Sequence, residues 1–352
     1  MIGRERVIRT LRFETPDRVP RDLWTLPGVE AFRKEELDRI RAQYPSDFTG
    51  CEGVYGPSER ARGDCNHIGD YVDEWGVTWT NAEPGVVGEV KKPILADEAQ
   101  IARYRLPWEL LDEADLSRAE RCCSRTSQFA KAGTYVRPFE RLQFLRGTEN
   151  VMIDLAYGTS SVMRLLERLH EFFVREMEMW AKTPVDGVSF MDDWGSQTAL
   201  LISPDMWRAI FKPLYADYCR ILHEANKFVF FHSDGHIEAI YPDLIEIGVD
   251  ALNSQLFCMD IEDLGAKYGG KITFWGEIDR QYLLPFGTPD QVKEGVRRVR
   301  RALDDGRGGV IAQCEWGIKD PAANIAAVFE TWNEPPPVGS DRDHRPGTAA
   351  ER

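Results

Sequence analysis

The chain of 352 residues carries a net charge of −14, with 43% hydrophobic and 29% charged residues. This is the ordinary globular range, which excludes a fibrous repeat or wholesale disorder, and the length admits either two average domains or one large α/β barrel. The acidic balance argues against nucleic acid as a default partner, since polyanion binding draws on clustered Lys and Arg. No uninterrupted apolar stretch approaches the roughly 20 residues of a membrane span.

At the amino terminus Val7, Ile8, Leu11 and Phe13 stand among Arg and Glu and predict an amphipathic helix over 3–13, closed by the turn Thr15-Pro16-Asp17. This start lacks the apolar core of a secretory signal, and the seven cysteines are an odd number spread along the chain. A secreted disulfide framework is therefore not expected, each cysteine is read as a buried thiol or a ligand, and the protein is read as cytoplasmic. Residues 19–24 predict a first strand and 31–42 a charged helix. The stretch 44–93, dense in Gly, Asp and aromatic residues, reads as an insertion in which 71–79 and 85–90 alternate as hairpin strands do.

The pattern over 106–132 is weakly helical, and Thr134-Tyr135-Val136 predicts a short strand. Val162, Leu165, Leu166, Leu169, Phe172, Phe173, Met177 and Trp180 then keep the spacing of a buried helical stripe. Beyond it short apolar runs alternate with amphipathic helices. Strands are predicted at 186–191, 228–231, 251–252, 272–275 and 310–312. Helices are predicted at 204–224, 237–247, 261–268, 289–303 and 321–332, with Ser203 and Thr288 as caps and Pro204 at a first helical position. Such units imply parallel strands joined by right-handed crossovers. Because no G-x-G-x-x-G turn follows any strand, a closed (β/α)8 TIM barrel is expected over a nucleotide-binding sheet. The expected organisation is one α/β barrel domain over 1–333, an N-terminal loop and hairpin insertion at 44–93, and a disordered tail over 334–352.

In such a barrel the residues after each strand converge on one mouth. Here they are Asp192, Asp193, Trp194 and Gln197; His232 and Asp234; Glu277 and Asp279; and Cys314 and Glu315. An acid at one strand end is an ordinary turn or cap residue, so it is the co-occurrence after four strands that points to a site. His232, Asp234 and Cys314 offer an imidazole nitrogen, a carboxylate oxygen and a thiolate, the donors zinc accepts when a fourth position stays open for catalysis. Cys314 also has the bland reading of a small buried hydrophobe.

The chain further contains Arg4-Glu-Arg-Val7 with Pro16-Asp-Arg-Val-Pro20, Arg146-Gly-Thr-Glu-Asn150, Asp192-Asp-Trp-Gly-Ser-Gln197, His232-Ser-Asp-Gly235, Gly276-Glu-Ile-Asp279, Gly287-Thr-Pro289, and Cys314 ahead of Pro321-x-x-Asn324. As a set, spread over nearly all of 1–333, these resemble the uroporphyrinogen decarboxylase superfamily and its corrinoid-linked methyltransferase branch. The resemblance implies a (β/α)8 barrel and a zinc ion held by a His-x-Cys pair and a later Cys. The histidine matches at His232 and the later cysteine at Cys314, but Asp234 stands where the branch has its middle cysteine. Replacing a thiolate by a carboxylate makes the site harder, which suits an oxygen-bearing substrate such as a methyl ether. The decarboxylase branch is matched less well, because residues 25–33 lack the Arg-x-x-x-Arg segment that grips porphyrinogen carboxylates.

The expected function is thus zinc-dependent methyl transfer in a demethylation system, between a small methoxylated substrate and a corrinoid (cobalamin) carried by a partner protein. Metal would sit on His232, Asp234 and Cys314, with Glu277, Glu315 and Asp193 in catalytic roles. Asp192, Trp194, Gln197, Trp275 and Asp279 are the expected substrate contacts. The alternative is a metal-free carboxy-lyase in which Asp192 or Asp193 stabilises a protonated substrate. The assembly state, a homodimer among the options, is left open.

Overall fold

The computed structural model describes residues 1–86 and 88–335. Its strands are β1 (Arg21–Thr25), β2 (Phe48–Gly50), β3 (Gly69–Val72), β4 (Thr78–Asn81), β5 (Phe129–Gly133), β6 (Gly187–Met191), β7 (Phe228–Ser233), β8 (Ala251–Ser254), β9 (Thr273–Trp275) and β10 (Val310–Trp316). Eight of them form one sheet in the order β1-β10-β9-β8-β7-β6-β5-β2, all neighbours parallel. With helices packed around it, this is a nearly closed (β/α)8 TIM barrel. Among the described residues no helix is long and apolar enough to cross a membrane.

Most predicted elements are found, with shifts that have physical causes. The apolar stripe at 162–180 is the buried face of the helix Ser160–Ala181. Ser203 accepts a hydrogen bond from the Met206 amide, and Thr288 forms a reciprocal capping box with Gln291. The helix predicted over 204–224 is two, Pro204–Ile210 and Lys212–Glu224, parting where Pro213 removes a donor. A hairpin is present but not as expected: β3 pairs with β4 across a turn at 73–77, inside the run read as one strand, and the 85–90 run contributes a single bridge, Thr80 to Glu89. Two strand readings are corrected. The strand predicted at 134–136 lies at 129–133, and the stretch read as an insertion contains β2, a strand of the barrel itself. Both strands are rich in Gly, Ala and Thr and lack the β-branched run that marks their neighbours. Cys51 and Cys122 form a disulfide, which corrects the reading of all cysteines as thiols or ligands. Of the tail predicted over 334–352, residues 336–352 lie outside the described residues.

Side chains alternate between the two faces of each strand. Val188, Phe190, Val229, Phe231, Leu252, Phe274, Ala312 and Cys314 pack outward in the large cluster under the helices. Phe48, Phe129, Phe230, Ala251, Trp275 and Ile311 fill the interior, where Val7 and Leu11 of the helix Gly3–Leu11 plug the amino-terminal end.

The seam between β1 and β2, the two ends of the sheet, is tied by Asp47. Its backbone amide donates to Arg21 O (2.9 Å), and its carbonyl accepts from Phe129 N (2.8 Å). Its carboxylate receives Arg6 Nη1 (2.5 Å), Arg18 Nη1 (2.7 Å) and the Arg21 amide (2.8 Å). Removing one partner from a buried ion pair leaves the others desolvated and unpaired. Asp47→Ala is expected to cost about 3–5 kcal/mol in urea-induced unfolding, whereas Asp38→Ala, on an exposed helical pair with Lys34, changes stability by about 0.5 kcal/mol or less.

Candidate functional site

At the carboxyl ends of β6 and β7 the inward-facing positions bring Asp193, His232 and Asp234 together, with one ligand atom of each within 4.8 Å of the others. His232 Nε2 lies 3.4 Å from Asp234 Oδ1 and 3.6 Å from Asp193 Oδ1. The other ring nitrogen, Nδ1, sits 2.6 Å from Asn253 Oδ1 on β8, and the Asn253 amide nitrogen donates to the Trp275 carbonyl. That second contact turns Asn253 Oδ1 toward the imidazole, so Nδ1 donates to it and Nε2 is the nitrogen that faces the two carboxylates.

Asp193 Oδ1 accepts the Asp234 backbone amide (2.9 Å), but the two carboxylates still face one another across His232 and repel. Asp234 Oδ1 is moreover buried and has no hydrogen-bond partner. A cation relieves both problems, and two donors bound about 2.1 Å from a tetrahedral ion stand about 3.4 Å apart, as these do. The donor set, one imidazole and two carboxylates, suits a divalent ion of hard to intermediate character, zinc among them. The residues fit a metal.

Asp234 is held by its second oxygen, which accepts from Arg280 Nη2. The same guanidinium donates to Glu315 Oε1 (2.7 Å) and lies 3.5 Å from Glu277 Oε1. Glu277 is 3% exposed, and burial pushes its carboxyl up to about 8 while Arg280 pulls it back. At neutral pH Glu277 therefore holds a proton, and Arg280 balances the charges of Asp234 and Glu315.

The remaining predicted residues are placed as follows. Cys314 lies on the outward face of β10, fully buried with Ala312 and Trp316, and burial holds its thiol well above the usual range. It is separated from His232 and Asp234 by the strand itself, and the third side chain that stands with these two is Asp193. Asp192 also faces outward: it accepts from the amides of Phe139 and Glu140 (2.7 Å each) and from Tyr215 Oη (2.6 Å), so it caps the helix Pro138–Arg146 and has no exposed surface for a substrate. Trp194 is stacked on Phe139 at 4.2 Å and donates to Tyr215 Oη, closed off from the mouth. Trp275 lies inside the barrel and donates to Asp22. Gln197, Asp279 and Glu277 line a small cavity beside Arg280, where Asp279 also holds the amides of Gln281 and Tyr282. Of the residues on which this geometry depends, Arg280 and Asn253 were not singled out from the sequence. Asn253 lies just past the strand predicted at 251–252; because β8 continues to Ser254, it shares the inward face of Ala251.

Fold and mouth together define a (β/α)8 barrel protein with an acid–histidine cluster at the carboxyl end of its strands. The uroporphyrinogen decarboxylase (URO-D) family matches residues 76–335, and the chain belongs to that family. Among solved structures it is similar to a methyltransferase from Methanosarcina mazei, with 15% identity, a TM-score of 0.68, and coverage of 94% of this chain and 98% of that one. An endo-β-1,4-xylanase of glycoside hydrolase family 10 from Gloeophyllum trabeum is matched over 92% of this chain and 98% of its own, at 10% identity and a TM-score of 0.44. The first likeness shows the fold, and the second carries nothing further. No curated protein matches the chain.

Because the folded protein retains a proton on Glu277 that the unfolded chain releases above the ordinary value of 4.5, stability falls as pH rises from there to about 8. Glu277→Gln abolishes that part of the slope. In thermal melts of metal-free protein, the variant should gain on the native chain between those pH values and hold a constant advantage above them.

Proposed function

We propose that this protein is a metal-dependent methyltransferase that demethylates a small methoxylated substrate, delivering the methyl group to a corrinoid on a separate protein. The observation that carries the reading is the Asp193–His232–Asp234 cluster, with its buried unpartnered oxygen, at the mouth of a URO-D family barrel. The methyltransferase named by the Methanosarcina mazei structure supports the choice of reaction.

Asp193 Oδ1, His232 Nε2 and Asp234 Oδ1 would hold the ion, and zinc is the ion proposed. When bound, such an ion supplies Lewis-acid polarisation of a substrate oxygen. Asn253 fixes the imidazole, and Arg280 keeps Asp234 turned with one oxygen toward the cluster. Glu277, protonated at neutral pH, delivers its proton to the oxygen that loses the methyl group. Glu315 holds Arg280 from the other side and keeps the guanidinium within reach of Glu277. The alternative of a metal-free carboxy-lyase loses one of its two candidate acids, since Asp192 is spent on a helix cap.

Metal analysis of purified protein after zinc loading tests this directly. About one zinc per chain is expected; His232→Ala should lose it, Asn253→Ala should bind about 10–100-fold more weakly, and Cys314→Ala should keep it. Zinc that survives in His232→Ala, or metal-free native protein that releases carbon dioxide from a carboxylated pyrrole, would replace the proposal.

A further inference from the structure

Below the cluster lies a charge that the proposed reaction leaves unused. Lys131 is the middle residue of β5 and faces the interior, with Gly50 and Gly187 as its register partners on the adjoining strands. Its Nζ lies 3.7 Å from the ring centroid of Trp275, 5.3 Å from Phe48, 5.5 Å from Phe230 and 5.6 Å from Trp24. An aromatic cage of this kind stabilises an ammonium through the ring faces but accepts no conventional hydrogen bond.

An ammonium has three N–H donors. The acceptor for Lys131 is Asp22 Oδ2 at 3.5 Å, and that oxygen already receives the indole N–H groups of Trp275 (2.9 Å) and Trp24 (3.1 Å). Donor capacity is left over. The side chain nevertheless keeps 15% exposure, and the space above it is open. Gly50 and Gly133 share the inward face with Lys131, are themselves exposed, and would carry a Cβ with no atom within 4 Å. On the opposite side Trp24 rises from the cage, its ring 5.4 Å from that of His232. Trp24 thus stands between an under-satisfied cation and the acid–histidine cluster, with open space beside the cation at Gly50 and Gly133.

We infer that Lys131 anchors the carboxylate of a small, flat monocarboxylic acid, seated against Trp24 with its far end directed at the mouth. The inference rests on the proposed function only in taking the barrel interior as the substrate site; it does not need the metal. Lys131 is the one cation among the inward-facing strand positions of the described residues, and Asp22 already offsets part of it. The mouth above adds Asp193, Asp234 and Glu315, whose three charges exceed that of Arg280. A single negative charge is therefore accommodated, and a second would meet carboxylates.

Benzoate and benzamide, alike in shape and different in charge, are the probes. In titration calorimetry benzoate should bind the native protein, and Lys131→Met should weaken it by at least about tenfold, the loss of one charge-assisted hydrogen bond. Benzamide should bind weakly and equally to both. In the native protein the indole N–H resonances of Trp24 and Trp275 should shift on adding benzoate, a readout that does not depend on the variant folding. Equal benzoate affinity in both proteins, equal affinity for the two probes, or no benzoate binding overturns the inference. Zinc content measured alongside separates the two readings: charge discrimination by Lys131 in a protein that takes up no zinc supports the anchor while removing the metal.

Discussion

Inside a barrel closed at one end, every second side chain of each strand faces a space that solvent enters only through the mouth. This alternation is the constraint on which the chemistry of the chain depends. Adjacent residues of similar type receive opposite fates from it. Asp192 points out and caps a helix, while Asp193 points in and joins the cluster. Cys314 points out into the core beneath the helices, while Glu315 points in and grips Arg280. The plug of Val7 and Leu11 closes the amino-terminal end, so the polar inward positions are at the other end and share one exit.

Charge in the mouth is arranged by the same economy. Asp193, Asp234, Glu277 and Glu315 crowd together, and four ionised carboxylates at such range repel strongly in a partly desolvated site. Two devices relieve them. Arg280 reaches three of the four, and burial keeps a proton on Glu277. The oxygen left without relief is Asp234 Oδ1, beside His232 Nε2. The cluster is therefore defined less by the presence of acids, which is common at strand ends, than by where compensation stops.

The barrel was legible in the sequence because its second half is built from clean repeats. From residue 186 onward apolar runs and amphipathic helices alternate with caps at Ser203 and Thr288, and each has its counterpart in the structure. The first half was not, because β2 and β5 are short and built from small residues that leave room inside the barrel. Gly50 and Gly133 look like turn residues in a linear reading and are open interior positions in the fold. Lys131, flanked by alanines, was hidden by the same misplacement of the strand at 134–136. His232 and Asp234 were legible from their place at a strand end. Cys314 was misassigned because the apolar run at 310–312 was taken as the whole strand. Since β10 continues to Trp316, parity rather than loop flexibility sets where the thiol points.

The two polar centres of the interior are opposite in sign and joined by one ring. Trp24 lies 5.4 Å from His232 and 5.6 Å from the Lys131 ammonium, with acids above it and the cation below. A substrate placed along Trp24 meets a field that favours its negative end at the floor. On the proposed reading this orientation is the useful one. It sets an ether oxygen at the cluster, next to the proton on Glu277, and leaves the methyl group facing the mouth, where a partner too large to enter the barrel can reach it. A harder ligand set at Asp234 and a cation at Lys131 then serve one end: the first selects oxygen as the atom to be polarised, and the second decides which oxygen of the molecule arrives there.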